Sequence, residues 1–249
     1  NAEKSGVWAT MLHLRAQLTS AFVADQKVPL ITHDRLLGAQ LSYNRRRAPC
    51  RVSKQLEPCL RTCERIQALP VAMEKRAQLV GQFVMPKSLY AVAVARPNKN
   101  NLKRLRAACA RAVWGQANGH RAAEILFTRL VPGHRCDPVQ AAAYLTILTA
   151  RRVLRKHVAL VPVLHRIIEM RSEGRGANYG MSGPGHALHH ALRQCGGSVN
   201  LLDNAFAFRT PDNQTRQVLS VSAETTKFQH EVREALRAEQ WHNLVLRRA

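Results

Sequence analysis

Residues 69–115 read LPVAMEKRAQLVGQFVMPKSLYAVAVARPNKNNLKRLRAACARAVWG, opening on Leu69-Pro70 and closing on Trp114-Gly115. Two apolar stripes at helical spacing run through this stretch. Ala72–Tyr90 carries Met73, Ala77, Val80, Val84 and Leu89 on one face, and Pro86 is expected to kink it. Leu102–Trp114 carries Leu105, Cys109 and Val113, with Asn101 as the expected cap and Gly115 as the residue that ends the helix. Lys103, Arg104, Arg106 and Arg111 gather on the opposite face. The reading is a helical hairpin, apolar within and cationic outside, and it sets the fold class as mainly α.

Upstream, Ser53 opens a helix with Leu56, Leu60, Cys63, Ile66/Gln67 and Leu69/Pro70 facing inward. Pro58 lacks an N–H, so that helix either starts nearer Glu57 or bends there. Val7–Leu14 suits a strand or a short helix. Leu36–Tyr43 alternates in the manner of a half-buried strand through Leu37, Ala39 and Leu41, with Gly38 marking a bulge or a close backbone approach. Residues 1–52 are therefore expected to hold a small antiparallel β-element.

Downstream, Ala122–Leu130 is a short helix stopped by Val131-Pro132-Gly133. Asp137-Pro138 pairs a capping carboxylate with proline at the first helical position, and the helix it opens should reach about His157. Arg151, Arg152, Arg155 and Lys156 suit the negative end of its dipole. Leu160–Arg171 is a further helix, completing a helical domain over 53–171. Residues 172–185 (SEGRGANYGMSGPG) form a glycine-rich linker, and 186–249 a small α+β part: a helix at His186–Gln194, a hairpin of Ala205–Arg209 and Arg216–Ser220, and an amphipathic helix through Phe228, Val232, Leu236 and Trp241.

The 249-residue chain has 38 Lys+Arg against 16 Asp+Glu, a formal net charge of +22, with arginine preferred. Arginine makes planar, bidentate contacts with phosphate, so this excess favours a nucleic-acid partner. Hydrophobic residues at 46% argue against general disorder, and no apolar run is long enough to span a bilayer. A membrane partner is not expected. Six irregularly spaced cysteines and the lack of a signal-like opening are read as reduced thiols of an intracellular, nuclear protein. The chain begins Asn1-Ala2-Glu3-Lys4 without a methionine, as a fragment would.

The order of these elements resembles the end of the palm and the thumb of non-LTR (LINE-type) retrotransposon reverse transcriptases. Asn1-Ala2-Glu3-Lys4-Ser5 is similar to the N-x-x-K-[ST] element that ends the palm. Arg35-Leu36-Leu37-Gly38 is similar to the L-G turn of the primer-grip hairpin. Leu69-Pro70, Lys75 and Val84–Tyr90 sit where the thumb pattern places them, and Leu130–Pro138 resembles retroelement-derived proteins of protists. The resemblance spans residues 1–157. It implies that Lys4 protonates the leaving pyrophosphate in the intact parent and that Arg35, Leu36, Leu37 and Gly38 hold a primer end.

Chemistry is where the chain departs from that family. A polymerase holds two metal ions on paired aspartates, yet no D-D or D-x-D occurs here, and the only acids before residue 60 are Glu3, Asp25, Asp34 and Glu57. No cofactor is expected in this fragment, and Mg2+ would sit in an upstream palm of the same polypeptide. The leading expectation is the template–primer-binding portion of an RNA-directed DNA polymerase, inactive alone and partnered by an RNA–DNA or RNA template–primer duplex and by its own palm and fingers. The alternative is a non-enzymatic basic helical RNA/DNA-binding protein or a decayed retroelement remnant. Arg45, Arg46, Arg47, Lys54, Lys103, Arg104, Arg106, Arg111, Arg151, Arg152 and Arg155 are the phosphate-contact candidates. Aromatic residues, at 5%, are too few for an evident base-stacking platform. Cys59/Cys63, His134/Cys136 and His186/His189/His190/Cys195 lack the paired tight spacings of a zinc site, so no metal site is expected.

Overall fold

In the computed structural model, the described residues are 12–18, 22–23, 26–27, 33–36, 39–42, 53–90, 92–93, 98–115, 122–164, 166, 184–200, 205–209 and 216–246. The fold is mainly α. Helix α1 (Leu12–Leu18) and two short antiparallel pairs, β1 (Phe22–Val23) with β2 (Gln26–Lys27) and β3 (His33–Leu36) with β4 (Ala39–Ser42), precede the bundle. Leu36 pairs with Ala39, so the single strand expected over Leu36–Tyr43 is instead a hairpin whose arms flank residues 37 and 38.

Helix α2 (Ser53–Gln67) contains Pro58 and starts at Ser53 rather than near Glu57. Burial of Leu56, Cys59, Cys63 and Ile66, spaced three to four apart, holds the stripe in place despite the lost hydrogen bond. Cys59 takes an inward position, while Leu60 packs at its edge and Leu69 is exposed. The kink expected at Pro86 takes a particular form. Helix α3 (Met73–Leu79) widens into a π-helical turn, Val80–Val84, before α4 (Met85–Ser88), and the Met85 N–H bonds the Val80 carbonyl. The wider turn precedes Pro86, which lacks an N–H to donate, and Val80 and Val84 both stay buried.

Helix α5 (Lys99–Trp114) starts earlier than expected, because Asn98 rather than Asn101 is the cap: its side-chain oxygen accepts the Asn100 N–H at 2.8 Å. At the other end Gly115 has φ 82°, a conformation that suits glycine. Arg76 closes that end by donating to the carbonyls of Val113 (3.0 Å) and Trp114 (3.1 Å), and ties in the preceding loop through Val71 (2.6 Å). A guanidinium on the last carbonyls satisfies acceptors that the helix leaves open and complements its dipole. Leu105, Ala108, Cys109, Ala110, Ala112 and Val113 are all buried, so α5 is the central rod of a first core, with α2 and α3 packed against it.

A short helix α6 (Ala123–Ile125) opens into a second π-helical turn, Leu126–Leu130. Then α7 (Gly133–Cys136) leads into α8 (Pro138–Lys156), capped as expected by Asp137, which accepts the Val139 N–H at 2.9 Å. Beyond it come a 3-10 turn (Val158–Leu160) and helical residues 161–164. The C-terminal part consists of α9 (Pro184–Arg193), a sheet in the order β5 (Ser198–Asn200), β6 (Ala205–Arg209), β7 (Arg216–Ser220), and α10 (Thr225–Leu246). The expected hairpin is the β6–β7 pair, and β5 adds a strand that three residues of sequence did not disclose.

Of the expected glycine-rich linker, residues 172–183 lie outside the described residues and Pro184 and Gly185 open α9. Ala141 and Ala142 of α8 belong to the first core, whereas Ala143, Ile147 and Leu154 pack with Leu188, Phe206, Phe208, Phe228, Val232 and Leu236 in a second. Helix α8 is a shared wall. Within the second core Phe228 meets Phe206 edge-on at 5.4 Å and Phe208 at 6.1 Å. Such edge-to-face pairs add about 0.5–1.5 kcal/mol each beyond the area they bury.

Candidate nucleic-acid interface

The structure sorts the cations into two kinds. Arg106 and Arg151, both phosphate-contact candidates by sequence, are removed from that set because their guanidinium groups are committed inside the fold. Arg106 donates from Nε (3.1 Å) and Nη2 (3.0 Å) to the Asp137 carboxylate and from Nη1 (3.2 Å) to Glu124. Gln240 of α10 accepts from Arg106 at 3.4 Å and from the Gln140 amide at 2.8 Å, so the cluster joins α5, α6, α8 and α10. Asp137 is 0% exposed. Burial pushes its carboxyl above the usual range, against the pull of Arg106, the Val139 N–H and Gln240. Removing one partner of a buried pair such as this costs about 3–5 kcal/mol, because the other charge is left uncompensated.

Arg151 is 4% exposed. It donates to the carbonyls of Val221 (3.0 Å) and Ala223, reaches Thr225 Oγ1 at 3.4 Å, and stacks 4.5 Å from the centre of the Phe228 ring. Desolvation by burial lowers its pKa from the ordinary value. Its position in the α8 stripe, four residues after Ile147, is the sequence signal that separates it from its neighbours: Arg152 and Arg155 fall on the outer face.

The second kind faces solvent. Lys103, Arg104 and Arg111 of α5 and Arg152 and Arg155 of α8 are exposed, as are Arg61 and Arg65 of α2, Lys99 of α5 and Lys156 of α8. Arg104 pairs with Glu57 at 3.1 Å across the α2–α5 surface, an exposed contact of the kind worth at most about 1 kcal/mol. Among the described residues none of the other cations in this group lies within salt-bridge distance of a carboxylate. Arg35 and Leu36 are strand residues of β3, paired with Gln40 and Ala39. Lys54 lies near the start of α2. Lys4, Leu37, Gly38, Arg45, Arg46 and Arg47 lie outside the described residues.

Composition alone concealed an aromatic contribution. Phe83 is 61% exposed and Tyr90 57% exposed, with the exposed Lys87 between them in sequence. Large rings left in water are surfaces on which bases can stack. The signal was available: Phe83 and Tyr90 fall outside the Val80, Val84 and Leu89 stripe. A low overall aromatic content hid the fact that two of the rings lie outside the core.

The cysteines expected as thiols act as core residues. Cys59, Cys63, Cys109, Cys136 and Cys195 are free and buried, and the Cys63 and Cys109 sulfurs lie 3.8 Å apart. Burial pushes the Cys136 and Cys195 thiols up to about 12. Among the described residues no group of three or more His, Cys, Asp or Glu is placed to hold a metal ion. Asp137 is enclosed by Arg106, and Glu57, Glu124 and Glu234 are each engaged by an arginine. Among the described residues no helix is long and apolar enough to cross a membrane. No protein-family model matches the chain, and neither a curated protein nor a solved structure matches it.

Proposed function

We propose that this chain binds a nucleic-acid duplex through its sugar–phosphate backbone, as the primer-grip and thumb portion of a retroelement reverse transcriptase, with no polymerase chemistry of its own. One observation carries the reading: a net charge of +22 whose described exposed part stands largely unpaired on α2, α5 and α8. Unpaired surface cations repel one another, and a polyanion relieves that repulsion while releasing its own condensed counterions. The exposed Phe83 and Tyr90 supply rings on which bases could stack. The sequence resemblance supplies the polymerase context, and an upstream palm with its Mg2+ would be the partner.

A fluorescently labelled RNA–DNA duplex titrated with the full chain tests this. Affinity should depend little on sequence and fall steeply with salt. A salt-insensitive or strongly sequence-selective complex would contradict the reading. If single-stranded RNA is preferred to the duplex, the alternative of a basic helical RNA-binding protein takes its place.

A further inference from the structure

A cleft of about 140 Å³ lies between α7 and α10, lined by Gly133, His134, Gln140, His230, Arg233, Glu234 and Arg237. We infer that this cleft is a phosphate-binding notch, holding one phosphoryl anion between Arg233 and Arg237 of α10 and the imidazole of His134. The inference deepens the backbone-binding reading and rests on it only for where the phosphate comes from.

The cleft has room for one tetrahedral anion in place of a few waters. Arg233 uses its Nε on the Gln229 carbonyl of its own helix at 3.0 Å, and among the described residues its two terminal amino groups make no hydrogen bond or ion pair. Arg135 of α7 is exposed and has no ion pair among the described residues, and His230 is exposed. Glu234 is the one acid in the lining, and Arg237 already pairs with it at 3.0 Å. The nearby Asp137 carboxylate is committed to Arg106. The Gln140 amide serves the wall, donating to Phe127 O (3.3 Å) and Gln240. Two arginines therefore line a concave surface with one opposing carboxylate, Arg135 adds its charge at His134, and concave surfaces focus such a field. His134 senses it. Its ring packs edge-on to Tyr144 at 5.3 Å, and burial, then Arg233, Arg135 and Arg237, push its pKa down to about 4. A bound anion reverses the electrostatic part of that depression.

The test follows the His134 imidazole by NMR in a pH titration of the full chain: alone, with inorganic phosphate, and with the RNA–DNA duplex. Phosphate should raise the midpoint by about one to three units, the effect of an opposite charge some 4–6 Å away. The Arg233→Gln/Arg237→Gln double variant should lose the rise while keeping native chemical-shift dispersion, and Lys103→Gln should keep it. A rise with the duplex as well identifies backbone phosphates as a source, whereas a rise with inorganic phosphate alone identifies free phosphate. An unmoved midpoint with both ligands, or a rise that persists in the double variant, overturns the notch even where anisotropy shows duplex binding elsewhere. A phosphate response in a chain that fails to bind duplex leaves the notch standing and removes the backbone-binding reading.

Discussion

The two cores on either side of α8 are built from different materials. The first, around α5, is filled with valine, alanine and cysteine, and has Phe127 as its one fully buried ring. The second is built around Phe206, Phe208 and Phe228 against a three-stranded sheet. Small side chains let helices approach closely but leave little area per residue, so the first core depends on helix ends being well tied. The second uses larger rings in fewer residues. Each is closed by an arginine that sequence alone places on the surface: Arg106 for the first, where it meets α10, and Arg151 for the second. A strongly basic chain thus uses part of its charge as internal scaffolding, and only the remainder is available to a partner.

Truncating the ring at the centre of the second core should break that contrast most severely. Phe228→Ala removes both edge-to-face contacts and the face on which Arg151 rests, and should cost about 3–5 kcal/mol in urea unfolding. A loss below about 1 kcal/mol would mean that the sheet does not depend on this cluster. Arg106→Ala should cost nearly as much, about 3 kcal/mol, by stranding buried Asp137. Pairing it with Asp137→Asn should recover part of that loss, since the charge then goes with its partner; strict additivity would show that the two residues do not act together.

Smaller effects should separate helix ends from packing. Arg76→Ala should cost about 1 kcal/mol by opening the end of α5, with the second core unaffected in hydrogen exchange. Acid should act on the His134 side of the α8 junction. With its folded pKa near 4 against an ordinary 6.5, the folded state binds fewer protons there. The stability this group contributes is complete above pH 6.5 and is lost as pH falls from 6.5 toward 4. His134→Gln should flatten that part of the stability profile. Lys103→Gln should leave stability within about 0.5 kcal/mol yet reduce the salt slope of duplex binding by about one.

Much of the helical framework was legible because its signals are local. The Asp137-Pro138 start, the Gly115 stop and the Val80/Val84 and Leu105/Cys109/Val113 stripes each follow from spacing or from one residue's backbone preference. Where the reading missed, tertiary partners decided. Asn98 and Asn101 are both adequate caps, and nothing local chooses between them. Pro86 announces a disturbance, but whether it becomes a bend or a π-helical turn depends on which valines must be buried. The packing of Ile147 and Leu154 against residues some thirty to ninety positions later is a long-range fact that no local signal discloses. Arg106 and Arg151 were misplaced for the same reason. Arginines on helices are usually solvated; the α8 stripe singles out Arg151, but the partners that hold both side chains, Asp137 for Arg106 and Val221 and Phe228 for Arg151, are set by the fold.

The central claim is that the exposed cations form a backbone-binding surface while the buried ones hold the fold. Measuring the dissociation constant of the full chain for an RNA–DNA duplex between about 50 and 200 mM salt tests it most directly. Engagement of six or more phosphates should weaken binding by about a thousandfold or more over that range, nearly equally for unrelated sequences. An affinity that stays within a fewfold over the same range would contradict it.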